Sequence, residues 1–196
     1  MRGMQGVWSS ARGLVSLGWW TLRGKPIPPP RLVKHRILRK YAAENELSVL
    51  VETGTFDGDT VDAMSRYFER IDSVELAEDL YDRARRRFED RKHIRIWHGD
   101  SGAVMQELLP SITRPCLFWL DAHYSGGDTA QGDEWSPVIK EVRLIANHKV
   151  RPLVVLIDDA RGFTGNGSPT IQQIIDAAGK GIRRYAIADD IIRLEF

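Results

Sequence analysis

The chain has 196 residues, enough for one ordinary domain and a short extension, and carries 28 Lys+Arg against 27 Asp+Glu. With 42% hydrophobic and 28% charged residues it reads as globular rather than disordered, and its longest mostly apolar stretch, 14–22, is too short to span a bilayer. A single cysteine, Cys116, excludes an intrachain disulfide framework and a cysteine-based zinc cluster, and points to a reducing, cytoplasmic setting.

The charge is unevenly spread. Positions 1–40 hold nine Lys/Arg and no Asp or Glu, so 19 basic and 27 acidic residues remain beyond them, a net of −8. A basic arm on an acidic body suggests that the arm meets something anionic. Residues 1–30 read as this arm and 31–196 as the main domain. Within the arm, Trp8, Ala11, Leu14, Val15, Trp19 and Leu22 share one side of a helical wheel. Such a helix either lies in a membrane interface or packs on its own domain or a second subunit, and the second is the commoner use of an amphipathic face. The run Lys25-Pro-Ile-Pro-Pro-Pro30 then makes a stiff, non-helical spacer.

From residue 31 helical and strand patterns alternate. Val33, Ile37 and Tyr41 form a helical stripe, and 47–51 is a β-rich run too short for a helix. Val61, Met64 and Phe68 return to helical spacing, 71–74 reads as strand, and Leu80, Ala84 and Phe88 as helix, with Arg83, Arg85, Arg86 and Arg87 on solvated faces. Residues 93–97 alternate as a strand, Val104 and Leu108 mark a helix ended by Pro110, and 116–120 is a fully apolar strand. Ser136-Pro137 is a helix start for Val138, Val142 and Ile145, and Ser168-Pro169 reads as the same signal before Ile171, Ile174 and Ile175. Between these two helices 153–157 is the most apolar strand. Residues 184–188 and 191–196 flank Asp189-Asp190 as a closing hairpin. Strands apolar on both faces, alternating with helices, predict an α/β, Rossmann-like three-layer sandwich: a mostly parallel sheet with a C-terminal antiparallel hairpin.

In such sheets ligands bind outside the carboxyl ends of the strands. Each of the five predicted parallel strands ends at a carboxylate: Glu52, Glu75, Asp100, Asp121 and Asp158-Asp159. The first turn, Glu52-Thr-Gly54-Thr55-Phe56-Asp57-Gly58-Asp59-Thr60, is rich in glycine but also acidic. Two aspartates there disfavour a pyrophosphate, and neither a dinucleotide fingerprint nor a P-loop is present, which argues against NAD, FAD and ATP. A phosphate-free cationic ligand such as S-adenosylmethionine (SAM) suits the turn better. The arginine cluster lacks interleaved aromatics or a recognisable module, so no nucleic-acid partner is expected.

Residues from about 47 to 160 resemble a class I SAM-dependent methyltransferase (EC 2.1.1.-). Glu52-Thr-Gly-Thr-Phe-Asp-Gly58 looks like the family's Gly-rich signature, Glu75 like its ribose-binding acid, Gly99-Asp100-Ser101 like its adenine turn, and Phe118-Trp-Leu-Asp121-Ala-His123 like its strand-4 signature. The pattern is most similar to the macrocin O-methyltransferase-like group, which acts on sugars and natural products. The resemblance implies cofactor contacts from Glu52, Gly54, Thr55, Phe56, Gly58, Thr60, Glu75, Asp100, Ser101 and Asp121. It also implies Mg²⁺ (or Mn²⁺ or Ca²⁺) on Asp121, Asp158 and Asp159, whose hard oxygens suit such ions. The acceptor would be a small molecule, with Gly126-Gly127-Asp128-Thr129 and Asp133-Glu134-Trp135 in a substrate loop; the alternatives are a metal-independent SAM methyltransferase acting on another small molecule, a lipid or a protein side chain, or a non-catalytic SAM-binding subunit. Catechol-type relatives place a lysine where this chain has Tyr124, so His123, with Asp121, is the candidate for the proton-transfer chemistry. Arg161 holds an anionic substrate group or pairs with a neighbouring acid. Phe56 lines the cofactor site or is core. His93, His98 and Cys116 read as structural.

Overall fold

Alternating side chains along short apolar strands build the molecule from the sheet outward. The computed structural model describes residues 18–121 and 137–196. Five parallel strands, β1 (Val49–Thr53), β2 (Arg70–Glu75), β3 (Ile94–His98), β4 (Cys116–Leu120) and β5 (Leu153–Ile157), are followed by a hairpin of β6 (Arg184–Ala188) and β7 (Ile191–Glu195). The sheet order is β3-β2-β1-β4-β5-β7-β6, with β7 antiparallel to both of its neighbours. The expected three-layer architecture is therefore observed, including the single reversed strand supplied by the hairpin. Asp189 and Asp190 both take positive φ, 52° and 61°, the conformation that a two-residue turn between twisted strands requires.

The period of two along each strand divides the core. Val49, Val51, Cys116, Phe118, Leu120, Leu153, Val155 and Ile157 face one side, and Leu50, Leu117, Trp119, Val154 and Leu156 the other. The first side is covered by α4 (Ser101–Leu108), α5 (Pro137–Ala146) and α6 (Ile171–Ala178). The second is covered by α1 (Arg31–Glu44), α2 (Asp59–Met64) and α3 (Glu78–Phe88). Cys116 is fully buried, as expected of an inert core thiol.

Three local readings shift. β1 begins and ends two residues later than the predicted run, so Glu52 lies inside the strand; Ser73 on β2 stands beside it and satisfies its carboxyl. The N-cap of α6 is Thr170, in a capping box with Gln173, rather than Ser168. Ser168 instead donates to the Gly162 carbonyl and accepts from the Thr164 amide, which closes the preceding loop. Residues 18–22 are helical, and Trp20 is buried against Val33, Ile37 and Tyr41, its Nε1 donating to the Pro26 carbonyl at 2.7 Å. Thus the end of the basic arm packs on the domain through Trp20, whereas Trp19 and Leu22, the described residues of the predicted apolar stripe, are exposed. Trp8, Ala11, Leu14 and Val15 lie outside the described residues. Among the described residues no helix is long and apolar enough to cross a membrane.

Gly58 caps α2 with φ +76°, and a Cβ there would lie 2.7 Å from Phe88 Cε2, a buried ring. Gly58→Ala is therefore expected to lose about 2 kcal/mol of stability, by positive-φ strain plus overpacking. A thermal unfolding scan showing an unchanged melting temperature would contradict this.

Candidate functional site

The carboxyl ends of β1, β2, β4 and β5 are in register, which brings their acids to one edge. Thr53 pairs with Val74 and with Leu120, and Leu120 pairs with Ile157. The chain then continues the ladder past the strands: the Gly54 and Thr55 amides donate to the Val74 carbonyl, Asp121 N to Thr53 O and Asp158 N to Leu120 O. Gly54, Glu75, Asp121 and Asp158 consequently stand side by side.

Glu75, the last residue of β2, is buried and oriented by backbone. Phe56 N donates to Oε2 at 2.8 Å and Ala77 N to Oε1 at 3.0 Å. Each oxygen keeps a further lone pair, so the carboxylate presents two fixed acceptors, a geometry that matches a vicinal diol. Phe56 itself takes φ 49° and leaves its ring 65% exposed, so it is not core; its amide, not its ring, serves the structure here.

Glu52 is almost fully buried. Ser73 donates to its carboxyl, and because that hydroxyl proton is committed, Thr55 Oγ donates to Ser73 Oγ at 2.6 Å. Burial pushes the Glu52 pKa up to about 8, the negative charges of Asp121 and Glu75 adding to the effect, against the hydrogen bonds from Ser73 and Thr60. Asp100 caps α4, its Oδ1 accepting from Ala103 N at 2.9 Å, and so stabilises the turn that was expected to meet adenine. Ser101 follows at the first position of that helix.

Sequence reasoning missed Glu141. It lies on α5, is fully buried, and sits near Ser101 and Thr53 without a hydrogen bond of good geometry to either. Burial raises its pKa to about 7. Thr53 Oγ1 is likewise buried without a hydrogen-bond partner. Its signal was present: Glu141 interrupts the apolar stripe of Val138, Val142 and Ile145 at helical spacing.

At the end of β5, Asp158 has a fully buried side chain that pairs with Lys34 of α1, and its Oδ1 accepts from Asp159 N at 2.9 Å. The Lys34 ammonium is also 3.8 Å from Asp159 Oδ1. Arg161 pairs with Asp159 at 2.8 Å and with buried Asp190 of the hairpin, so of its two readings the structure favours ion pairing. The anionic partners of the basic segment thus include the chain's own acids, since Arg31 pairs with Asp59 as well. Among the described residues no group of three or more His, Cys, Asp or Glu is arranged to hold a metal ion. The residues present do not fit the expected Mg²⁺: the Lys34 ammonium on Asp158 and the Arg161 guanidinium on Asp159 already place two positive charges where a divalent cation would have to sit. His123, Tyr124 and residues 126–129 and 133–135 lie outside the described residues.

His93 and His98 both bond backbone carbonyls, of Ser65 and Leu76 respectively. His98, however, pairs with Glu75 in the sheet and stacks on Tyr81 with ring centroids 5.0 Å apart, which places it beside the site rather than away from it. The arginines of α3 are solvated as expected, although Arg87 also reaches Asp59 and Asp62.

No family model and no curated protein matches the chain. Solved structures do. An O-methyltransferase from Bacillus cereus, in complex with SAH, superimposes with a TM-score of 0.60 at 12% identity, covering 92% of this chain and 89% of that one. The chain shares the methyltransferase fold. The O-methyltransferase TomG from Streptomyces achromogenes, involved in tomaymycin synthesis and solved with SAM, gives a TM-score of 0.59 at 13% identity over 92% and 86% of the two chains. The N-methyltransferase NodS from Bradyrhizobium japonicum gives 0.55 at 14% over 84% and 95%. Proteins of this fold thus include ones named for transfer to oxygen and one named for transfer to nitrogen, so the fold alone names no reaction for this chain.

Proposed function

We propose that this chain is a SAM-dependent O-methyltransferase acting on a hydroxyl of a sugar or another small polyol, without an obligatory metal. The observation that carries the cofactor assignment is Glu75: a buried carboxylate at the end of β2, aimed by two backbone amides, beside an acidic Gly-containing turn. It would hold the ribose hydroxyls, with Asp100-Ser101 at the adenine side and Gly54 and Asp121 near the amino-acid end. Excess negative charge at this edge suits a cationic ligand. An edge rich in carboxylate acceptors also suits a polyhydroxylated substrate.

When bound, SAM supplies a methyl group that passes in line to the acceptor oxygen, the C–S electron pair returning to sulfur. The chain's work is to position the hydroxyl and to take its proton, and positioning supplies much of the rate. His123, two residues beyond Asp121, is the proposed base. The macrocin-like reading with Mg²⁺ on Asp121, Asp158 and Asp159 is disfavoured by the Lys34 pairing.

Incubating the full chain with methyl-tritiated SAM and a panel of sugars, polyols and phenols tests this. Label should enter a hydroxylated acceptor equally with Mg²⁺ and with EDTA, and His123→Ala should lower kcat about 100-fold while leaving SAH affinity unchanged. Loss of all transfer in EDTA would overturn the metal-free reading. Label entering amines alone would overturn the oxygen assignment.

A further inference from the structure

Lys34 comes from the helix that precedes the sheet, yet its ammonium lies on the acids at the end of β5. Its side chain is 17% exposed, and that of Asp158 is fully buried. A buried carboxylate needs a partner, because an isolated charge away from water is strongly unfavourable. That need is met within the chain: one ammonium N–H bonds Asp158, and Asp159 is 3.8 Å away. Arg161 adds a second positive charge on Asp159 and ties it to Asp190. The segment carrying Lys34 is anchored, since Val33, Ile37 and Leu38 of the same helix are buried against the sheet. The ammonium thus extends from a fixed helix on a mostly buried side chain.

We propose that Lys34 is the resident cation of this strand-end acid pair and stands where a divalent ion would otherwise bind. Repulsion from the ammonium keeps a divalent ion off the Asp158 carboxylate while Lys34 is paired with it, and a covalently tethered cation needs no free ion in solution. A lysine provides three donors around one point charge, so beyond Asp158 and Asp159 one direction remains for the oxygen of a bound acceptor. That last role rests on the methyltransferase reading; the exclusion of metal does not.

The test is a Mn²⁺ titration of the full chain, followed by the electron paramagnetic resonance signal of free Mn²⁺. The wild type should bind no Mn²⁺ in the micromolar range. Lys34→Met, which keeps the apolar stem and removes the charge, should bind Mn²⁺ at least tenfold more tightly than wild type, and adding Asp158→Asn should reverse the gain. Lys34→Arg should continue to exclude the ion. Micromolar Mn²⁺ binding by the wild type that is lost in Asp158→Asn would overturn the proposal, and this arm needs no Lys34 variant to fold. A Lys34→Met protein that binds SAH but gains no Mn²⁺ would overturn it as well. SAH binding, measured in parallel, reports on the methyltransferase reading, so the two can fail separately.

Discussion

Glu75→Ala is expected to weaken S-adenosylhomocysteine binding by about 10³-fold. Two lone pairs remain on the carboxylate after Phe56 N and Ala77 N have donated. Two hydrogen bonds from a ribose diol to an ionised acceptor contribute roughly 2 kcal/mol each, and about 4 kcal/mol corresponds to that factor. The same substitution strands the two amides, so the fold should also lose on the order of 1–3 kcal/mol. Calorimetry on protein shown by its unfolding transition to be native separates the two effects. A variant that is folded and binds SAH as well as wild type would remove Glu75 from the cofactor site.

The second large effect is a pH dependence of stability set by Glu52. Its pKa rises from the ordinary 4.5 to about 8 in the folded chain, mainly through burial. The native state therefore keeps a proton that the unfolded chain has released between these values. Stability from this group is complete below the unfolded pKa and is lost as pH rises through about 8. Between pH 6 and pH 8.5 the loss should be roughly 3 kcal/mol. Glu141, with its pKa raised to about 7, acts in the same direction over a narrower window. Glu52→Gln preserves an acceptor for the Ser73 hydroxyl and removes the titrating proton. It should flatten the Glu52 part of the profile and make the variant more stable than wild type at pH 8.5. Chemical denaturation across this range measures it, and a wild-type stability that climbs from pH 6 to pH 8.5 would contradict the assignment.

Much of the architecture was legible because strand and helix periods differ so plainly. β4 and β5 were bounded correctly, since five consecutive apolar residues between polar ends leave little choice. β1 was displaced because Glu52 and Thr53 look like loop residues, and only Ser73 on the neighbouring strand makes a buried glutamate acceptable. The strand-end acids were found by a topological rule, and Glu75, Asp121 and Asp158 indeed share an edge. What they are paired with was not legible. Lys34 counted as part of a basic segment, and its contact with Asp158 spans 124 positions. Asp190 read as a hairpin turn residue, and only the sheet order brings it to Arg161. Long-range ion pairs leave no local pattern, so the metal set implied by the resemblance took no account of the cation supplied by the chain itself. Glu141 differs, because a glutamate on an apolar helical stripe is visible in the sequence alone.

A calorimetric titration of the full chain with S-adenosylhomocysteine tests the cofactor site most directly. Binding in the micromolar range, unchanged by EDTA, is the result predicted by an adenosine site built on Glu75 and independent of metal. No heat of binding at any concentration up to the millimolar range, from protein that unfolds cooperatively, would contradict it.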